Sequence, residues 1–167
     1  MKNAIEICAS GEVIFKGKRY RCVIGKNGVT NNKEEGDGKT PVGCFEIRKV
    51  LYRKDKIKKP ETELFIEEIL ENDGWCDDIN DKNYNQQIKL PYNASHEKLW
   101  RDDEVYDIVV VLGYNDNPVI SGKGSAIFMH VARENYSPTA GCVVFNKEDL
   151  LEILKNCDKK TLICIKD

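Results

Sequence analysis

The sequence predicts a mainly β domain, of barrel or sandwich type, with one helix near its C-terminus. Short segments rich in β-branched and aromatic residues alternate with Gly and Asn turns, as in sheets joined by tight turns. Only the stretch after Asn146 clearly has the apolar spacing of an amphipathic helix. No repeat, low-complexity tract or linker interrupts the 167 residues, so one domain is expected over residues 1–167.

Eight segments have the composition expected of strands. They are Ala4–Ile7, Glu12–Phe15, Tyr20–Ile24, Cys44–Val50, Tyr106–Leu112, Ala126–Val131, Cys142–Phe145 and Thr161–Ile165.

One helix follows the seventh of these strands. Asn146 is a good N-cap, acidic residues occupy the next turn, and an apolar stripe runs from Leu150 to Leu154. The stretch Glu63–Glu71 is compatible with a second short helix. From Gly74 to Asn93 we expect a long loop, and such a loop in a compact domain often forms a wall of the active site.

Composition excludes several classes of function. With 41% hydrophobic residues the chain can bury a substantial core, and its net charge of −2 gives no general attraction to nucleic acid or anionic membrane. The basic stretch Arg48–Lys59 is followed by the acidic stretch Glu61–Asp81, which indicates two exposed segments rather than a DNA footprint. We therefore expect neither nucleic acid nor membrane as a partner; the oligomeric state is not predicted.

The cysteine pattern and the N-terminus bear on the compartment. Seven irregularly spaced cysteines, no C-x-x-C pair and two histidines support neither a disulfide framework nor a zinc site, so we expect reduced thiols, no metal and no cofactor. Met1–Cys8 lacks the apolar core of a secretory leader. A cytoplasmic protein is expected, or a periplasmic one if a leading segment has been removed.

The segment from Ile127 to Phe145 carries the predicted chemistry. An apolar run ends at His130, a polar loop follows, and Gly141-Cys142 opens a second apolar run. A neighbouring imidazole can lower a thiol pKa and carry its proton, so His130 suits a base and Cys142 a nucleophile. The N–H groups of Ala140, Gly141 and Cys142 could stabilise an oxyanion. From spacing alone, an inert core cysteine is the stronger interpretation, because the chain has seven cysteines and most buried cysteines are inert.

These residues resemble a known family. Ser137–Cys142, preceded by His130, is similar to the signature of the YkuD-type L,D-transpeptidases, in which a histidine precedes Ser/Thr-x-Gly-Cys. The segment Glu35–Gly43, with its Thr-Pro-x-Gly, resembles the N-terminal half of that family. Three further pieces resemble its small single-domain bacterial branch: Gly74–Asp78, Tyr84–Asn85 and Leu99–Asp103. The resemblance covers nearly the whole chain.

The chain departs from the family pattern at two places. Many members have His-Gly at the base and His-Gly-Cys at the nucleophile, whereas here the residues are His130-Val131 and Ala140-Gly141-Cys142. A mechanism that needs a second histidine beside the nucleophile is excluded. The group that orients the base is the carbonyl of Val131 or a distant side chain.

The resemblance implies a β-barrel or sandwich-like catalytic domain that performs cysteine-dependent acyl transfer on peptidoglycan stem peptides. The thiolate attacks at the L-centre of the diamino acid and expels the terminal D-alanine. With water as acceptor, the chain is expected to be a cytoplasmic L,D-carboxypeptidase acting on soluble muropeptides during recycling. The alternatives are a transpeptidase that cross-links the cell wall and a non-catalytic muropeptide-binding module.

Such a substrate carries carboxylates, which require cationic partners near the thiol. Arg133 and Arg101 are the candidates, and the alternative for each is a surface arginine paired with Asp102, Asp103 or Glu134. The other predicted substrate-binding residues are Trp100, Tyr136, Thr139 and His96. The aromatic residues, Trp75 included, have core packing as their alternative, His96 an exposed loop position, and Thr139 a bond to the backbone of its own loop.

Overall fold

The structure is a computed structural model, and it describes residues 3–167. The strands in that range, in chain order, are β1 (Ala4–Cys8), β2 (Glu12–Phe15), β3 (Lys18–Arg21), β4 (Val29–Thr30), β5 (Thr40–Pro41), β6 (Gly43–Tyr52), β7 (Ile66–Glu68), β8 (Asp73–Cys76), β9 (Gln87–Lys89), β10 (His96–Lys98), β11 (Ile108–Leu112), β12 (Phe128–Val131), β13 (Val143–Phe145) and β14 (Leu162–Lys166). The helix α1 (Lys147–Lys155) lies between β13 and β14.

A nine-stranded sheet forms the framework. Its order is β13-β12-β11-β6-β14-β1-β2-β3, and β7 pairs with β6 beside this path. The ten-residue strand β6 is long enough to pair with β11, β14 and β7 along its length. Reciprocal backbone hydrogen bonds of 2.9 Å between Val23 and Val144 join the two ends of the sheet, which is therefore a nearly closed barrel. The predicted mainly β, barrel-like fold is confirmed.

Each of the eight predicted strands corresponds to a strand of the structure, with small shifts at the ends. The largest shift concerns Tyr20–Ile24, because β3 ends at Arg21 and Val23 pairs separately with Val144. Two interpretations were wrong. Glu63–Glu71 holds β7 instead of a helix, and Gly74–Asn93 holds most of β8 and all of β9, which form a second sheet with β10. Pairing with distant partners made these polar segments extended, and a local pattern cannot show that pairing.

The predicted helix is confirmed as α1. The Asn146 side chain accepts a 2.8 Å hydrogen bond from the Asp149 N–H, as an N-cap should, and Leu150, Ile153 and Leu154 are buried. Within residues 3–167 no helix is long and apolar enough to cross a membrane.

Two apolar clusters lie on opposite faces of β11. Ile108, Val110 and Leu112 belong to the larger cluster, which also contains the buried face of α1. Val109 and Val111 alternate with them and belong to a smaller cluster that contains Trp75 of β8. A strand buried on both faces has the continuous apolar sequence seen here. The smaller cluster lies between the large sheet and the three-stranded sheet, and Cys142 of the candidate site packs against it.

The expectation of reduced thiols was wrong for one pair of cysteines. Cys44 of β6 lies directly opposite Cys164 of β14 in the antiparallel register, and a disulfide joins them. The two residues are 120 positions apart in the chain, so only the folded sheet could reveal that they are neighbours. The other five cysteines are free thiols.

We expect this disulfide to stabilise the fold by about 2–4 kcal/mol, because it closes a long loop in the unfolded chain. Urea unfolding with and without a reducing agent measures the difference. The double variant Cys44→Ala/Cys164→Ala is the control, and its midpoint should not respond to reductant. An equal response of both proteins would mean that the reductant acts elsewhere.

Candidate active site

His130 and Cys142 lie on neighbouring parallel strands. His130 of β12 is in register with Val144 of β13, and Cys142 stands immediately before β13, beside Phe128. Side chains two residues apart on a strand point to the same face, so His130, Val144 and Cys142 share one face of the sheet. His130 and Cys142 both line a cavity of about 380 Å³. The structure thus brings the predicted base and nucleophile to one site that a ligand can enter.

The sulfur of Cys142 is held by two backbone groups. Its thiol donates to the carbonyl oxygen of Ala126 at 3.1 Å, and the N–H of Phe128 donates to the sulfur at 3.4 Å. Among the hydrogen bonds of residues 3–167, none joins the sulfur to the imidazole of His130. In this resting arrangement the thiol proton points toward the Ala126 carbonyl.

Both reactive groups are neutral at rest. Burial raises the pKa of the Cys142 thiol to about 12, and the negative charge of Glu97 acts in the same direction. Burial lowers the pKa of His130 to about 4, and the charges of Arg101 and Arg133 oppose its protonation further. The expectation that the imidazole would lower the thiol pKa was therefore wrong for the resting site. The arrangement suits a general base that takes the proton as the sulfur attacks.

The imidazole is oriented by the backbone. Nδ1 of His130 lies 3.1 Å from the carbonyl oxygen of Val131, and the ring meets Tyr106 edge-on with 5.0 Å between centroids. The Val131 carbonyl was one of the two orienting groups that the sequence allowed. Because a carbonyl only accepts, we assign the proton to Nδ1, and Nε2 is then the basic nitrogen.

The loop before the nucleophile is closed by Thr139. Its hydroxyl donates to the Cys142 carbonyl at 2.7 Å and accepts from the Gly141 N–H at 3.0 Å. The predicted bond from Thr139 to its own loop is thus present, and its hydroxyl proton is committed there. The N–H of Gly141, which was predicted to serve the oxyanion, has this hydroxyl as its acceptor here, so that role stays a prediction. Within residues 3–167 the N–H groups of Ala140 and Cys142 make no hydrogen bond.

Gly141 is needed for its backbone conformation. Its φ is +151°, and a Cβ at this position would lie 2.9 Å from the carbonyl oxygen of Lys39. We expect Gly141→Ala to destabilise the fold more than Gly17→Ala, which at φ +78° faces open space and isolates the conformational cost of about 1–2 kcal/mol. Urea unfolding of both variants measures the difference. Equal losses of unfolding free energy in the two variants would show that the Lys39 carbonyl moves aside without cost.

The two predicted arginines line the cavity and share one carboxylate. Arg101 binds Asp103 through two hydrogen bonds of 2.8 and 2.6 Å, and Nη1 of Arg133 lies 3.6 Å from the same carboxylate. The Arg101 hydrogen bonds lower the pKa of Asp103 to about 2. The predicted alternative, pairing with Asp103, is therefore present, and substrate binding by these arginines stays a prediction. Two guanidinium groups thus meet one carboxylate at the rim of the cavity, whose lining also contains the acidic residues Glu35, Asp77 and Glu97.

Three predicted substrate-binding residues lie outside this cavity. His96 and Trp100 line a separate groove that meets the cavity at Arg101, and the Trp100 ring stacks 3.6 Å under the guanidinium of Arg53. The guanidinium carbon of Arg21 lies 5.9 Å from the centre of the Tyr136 ring, and Tyr136 does not line the cavity. Trp75 packs edge-on against Phe128 in the smaller core. Of these residues only Tyr136 lies near the His130–Cys142 segment in sequence, and the fold turns it away from the cavity.

The sequence did not single out Glu97 and Lys33, which both line the cavity. The Glu97 carboxylate accepts a 2.8 Å hydrogen bond from the hydroxyl of Tyr106, and burial raises its pKa. Buried Lys33 pairs with Asp37 at 2.5 Å. In the strand β10 the alternation of side chains sets Glu97 opposite in direction to His96. Predicting β10 as a strand would have set Glu97 on the face opposite to His96. Lys33 lies in a charged loop, where the sequence gives no comparable indication.

Comparisons with known proteins agree with this geometry. A family model described as the L,D-transpeptidase catalytic domain, YkuD, matches residues 4–165. A comparison with curated proteins gives no match.

Two similar solved structures are both described as the helical cell shape determining protein Pgp2 from Campylobacter jejuni. The first is 14% identical with a TM-score of 0.48, covering 98% of this chain and 47% of that one. The second, a mutant form, is 15% identical with a TM-score of 0.47, covering 98% of this chain and 46% of that one. The chain spans about half the length of these proteins.

Proposed function

Because the chain belongs to the L,D-transpeptidase catalytic domain family, whose model matches residues 4–165, we propose that it cleaves the D-alanine from a tetrapeptide stem by hydrolysis. Acyl transfer on peptidoglycan stem peptides is the activity of the family. The finer proposal is that water is the acceptor, which makes the protein an L,D-carboxypeptidase. The observation that carries it is the position of Cys142 and His130 on one face of adjacent strands, at a cavity of about 380 Å³.

Acylation begins when the sulfur attacks the carbonyl at the L-centre of the diamino acid. Nε2 of His130 accepts the thiol proton as the carbon–sulfur bond forms, and the carbonyl becomes an oxyanion. We assign the N–H groups of Ala140 and Cys142 as its donors. The intermediate collapses, the carbon–nitrogen bond breaks, and the imidazolium returns the proton to the amine of the departing D-alanine. A thioester on Cys142 is the product.

Deacylation repeats these steps with water. His130 takes a proton from the water as it attacks the thioester, and the sulfur leaves and recovers a proton as thiol. The guanidinium groups of Arg101 and Arg133, which line the cavity, are the partners that we assign to the carboxylates of the stem peptide. A cavity of about 380 Å³ is at the small end of ligand sites, which favours one peptide and a water over two peptides.

Transpeptidation is the second candidate. The groove with His96 and Trp100 meets the cavity at Arg101, where a second stem peptide could approach the thioester. Incubation of the protein with a purified tetrapeptide, alone and with a second stem peptide, separates the two reactions by mass. Tripeptide plus D-alanine under both conditions supports hydrolysis, and cross-linked dimers in the second would overturn it.

The cytoplasmic localisation stays a prediction. The Cys44–Cys164 disulfide counts against it, because disulfides persist mainly in oxidising compartments. Alkylation of intact cells before and after reduction measures whether the pair is oxidised in vivo. A reduced pair would support recycling of soluble muropeptides in the cytoplasm, whereas an oxidised pair would place the enzyme at the wall.

A further inference from the structure

We infer that Asn85 is a positioning residue for the nucleophile, acting through Ala126. It touches neither the reacting atoms nor the cavity, and its role is to hold the carbonyl that receives the Cys142 thiol. The inference rests on the proposed function, in which Cys142 is the nucleophile.

The Asn85 side chain is buried and makes four hydrogen bonds. Its Oδ1 accepts from the indole N–H of Trp75 and from the backbone N–H of Ala126, both at 3.0 Å. Its Nδ2 donates to the carbonyls of Tyr114 at 3.1 Å and Asn115 at 2.8 Å. An amide with two donors and two acceptor sites is then saturated, so its orientation is fixed.

Ala126 is held in a conformation that alanine rarely adopts. Its φ is +54°, in the left-handed region. Such strain persists only where the surroundings impose it, and it concentrates at functional sites. The hydrogen bond from the Ala126 N–H to Asn85 is the visible restraint. With its N–H anchored and its φ set, Ala126 directs its carbonyl oxygen to the sulfur of Cys142, 3.1 Å away.

The sulfur is thereby fixed from two sides. The Ala126 carbonyl accepts the thiol proton, and the Phe128 N–H, two residues further along, donates to the sulfur. The same strand continues to His130, so nucleophile and base take their positions from one anchored segment. Without the Asn85 anchor, Ala126 is free to relax to negative φ and turn its carbonyl away from the thiol.

The variant Asn85→Gly tests this, because glycine tolerates the positive φ of Asn85 (+57°) and removes only the amide. Loss of the acceptor destabilises the protonated thiol. We expect the rate of iodoacetamide labelling of Cys142 at pH 8.5 to rise about tenfold, because the thiolate fraction rises. The kcat for tetrapeptide cleavage should fall about tenfold with KM unchanged, because the sulfur is misplaced.

Two controls separate positioning from general loss of structure. Trp75→Phe removes the other hydrogen bond to Asn85 Oδ1 but leaves Ala126 anchored, so Cys142 labelling and kcat should stay near wild type. Buried Cys22, whose pKa burial also raises to about 12, reports partial unfolding within each protein.

The inference is overturned if Asn85→Gly labels Cys142 at the wild-type rate, if Cys22 labelling rises in parallel, or if kcat is unchanged. A failure of the proposed function looks different. In that case wild-type protein releases no D-alanine from the tetrapeptide, whatever residue stands at position 85.

Discussion

Replacing Cys142 with alanine is expected to reduce the release of D-alanine from a tetrapeptide by at least about 10⁴-fold, because the thioester can no longer form. In the wild-type protein, intact mass spectrometry during turnover should detect one acyl group, and tryptic peptides should place it on Cys142. The reason is geometric, since this free thiol shares the cavity with an imidazole that can take its proton.

Cys8→Ala is the matched control for that experiment. Cys8 is also a free, half-buried thiol, but it lies at the end of β1 and does not line the cavity. Its variant should keep wild-type turnover and the acyl adduct. If Cys142→Ala still released D-alanine at the wild-type rate, the assignment of the nucleophile would be wrong.

Replacing His130 with glutamine is expected to lower kcat by about 10²–10⁴-fold, the usual contribution of a general base. In the wild-type enzyme the base is active when unprotonated. Because the pKa of His130 is lowered to about 4, kcat/KM should hold its plateau down to about pH 4, not 6.5. A pH–rate profile measures this. An acidic limb near 6.5 would mean that the imidazole is more hydrated than the buried position implies.

The same residue makes stability depend on pH. The folded-state pKa of about 4 lies below the unfolded value of 6.5, so between these values the unfolded chain binds more protons. Stability should therefore fall as pH drops from 6.5 to 4, by about 3 kcal/mol from this group. Urea unfolding of wild type and His130→Gln at both pH values gives the contribution as a difference. Identical pH slopes would contradict it.

Local sequence was sufficient for most of the framework. The eight segments rich in β-branched residues became strands because their side chains fit a buried pleated surface, and α1 followed from its cap and apolar stripe. It failed for Ile66–Glu68 and for the three-stranded sheet. Those strands are only three or four residues long, and their extended form comes from backbone pairing with partners outside the local sequence window.

The candidate site was likewise predicted only in part. His130 and Cys142 were predicted because both chemical groups lie in one short segment, and Arg101 and Arg133 because the substrate class needs cations. Trp100, Tyr136 and His96 lie outside the cavity, whereas Glu97 and Lys33, which the sequence did not single out, line it. Which side chains face one cavity depends on the packing of two sheets, and sequence proximity does not encode it.

The sequence by itself placed a thiol, the glycine before it and an imidazole within one short segment, because the loop that joins β12 to β13 brings the two groups to neighbouring strands. Tertiary structure alone decided the state of that chemistry. Burial makes both groups neutral, the register of β6 and β14 joins Cys44 to Cys164, and the turn at Ala126 aims a carbonyl at the sulfur. Desolvation and strand register arise from residues far apart in the chain, so they exist only after folding.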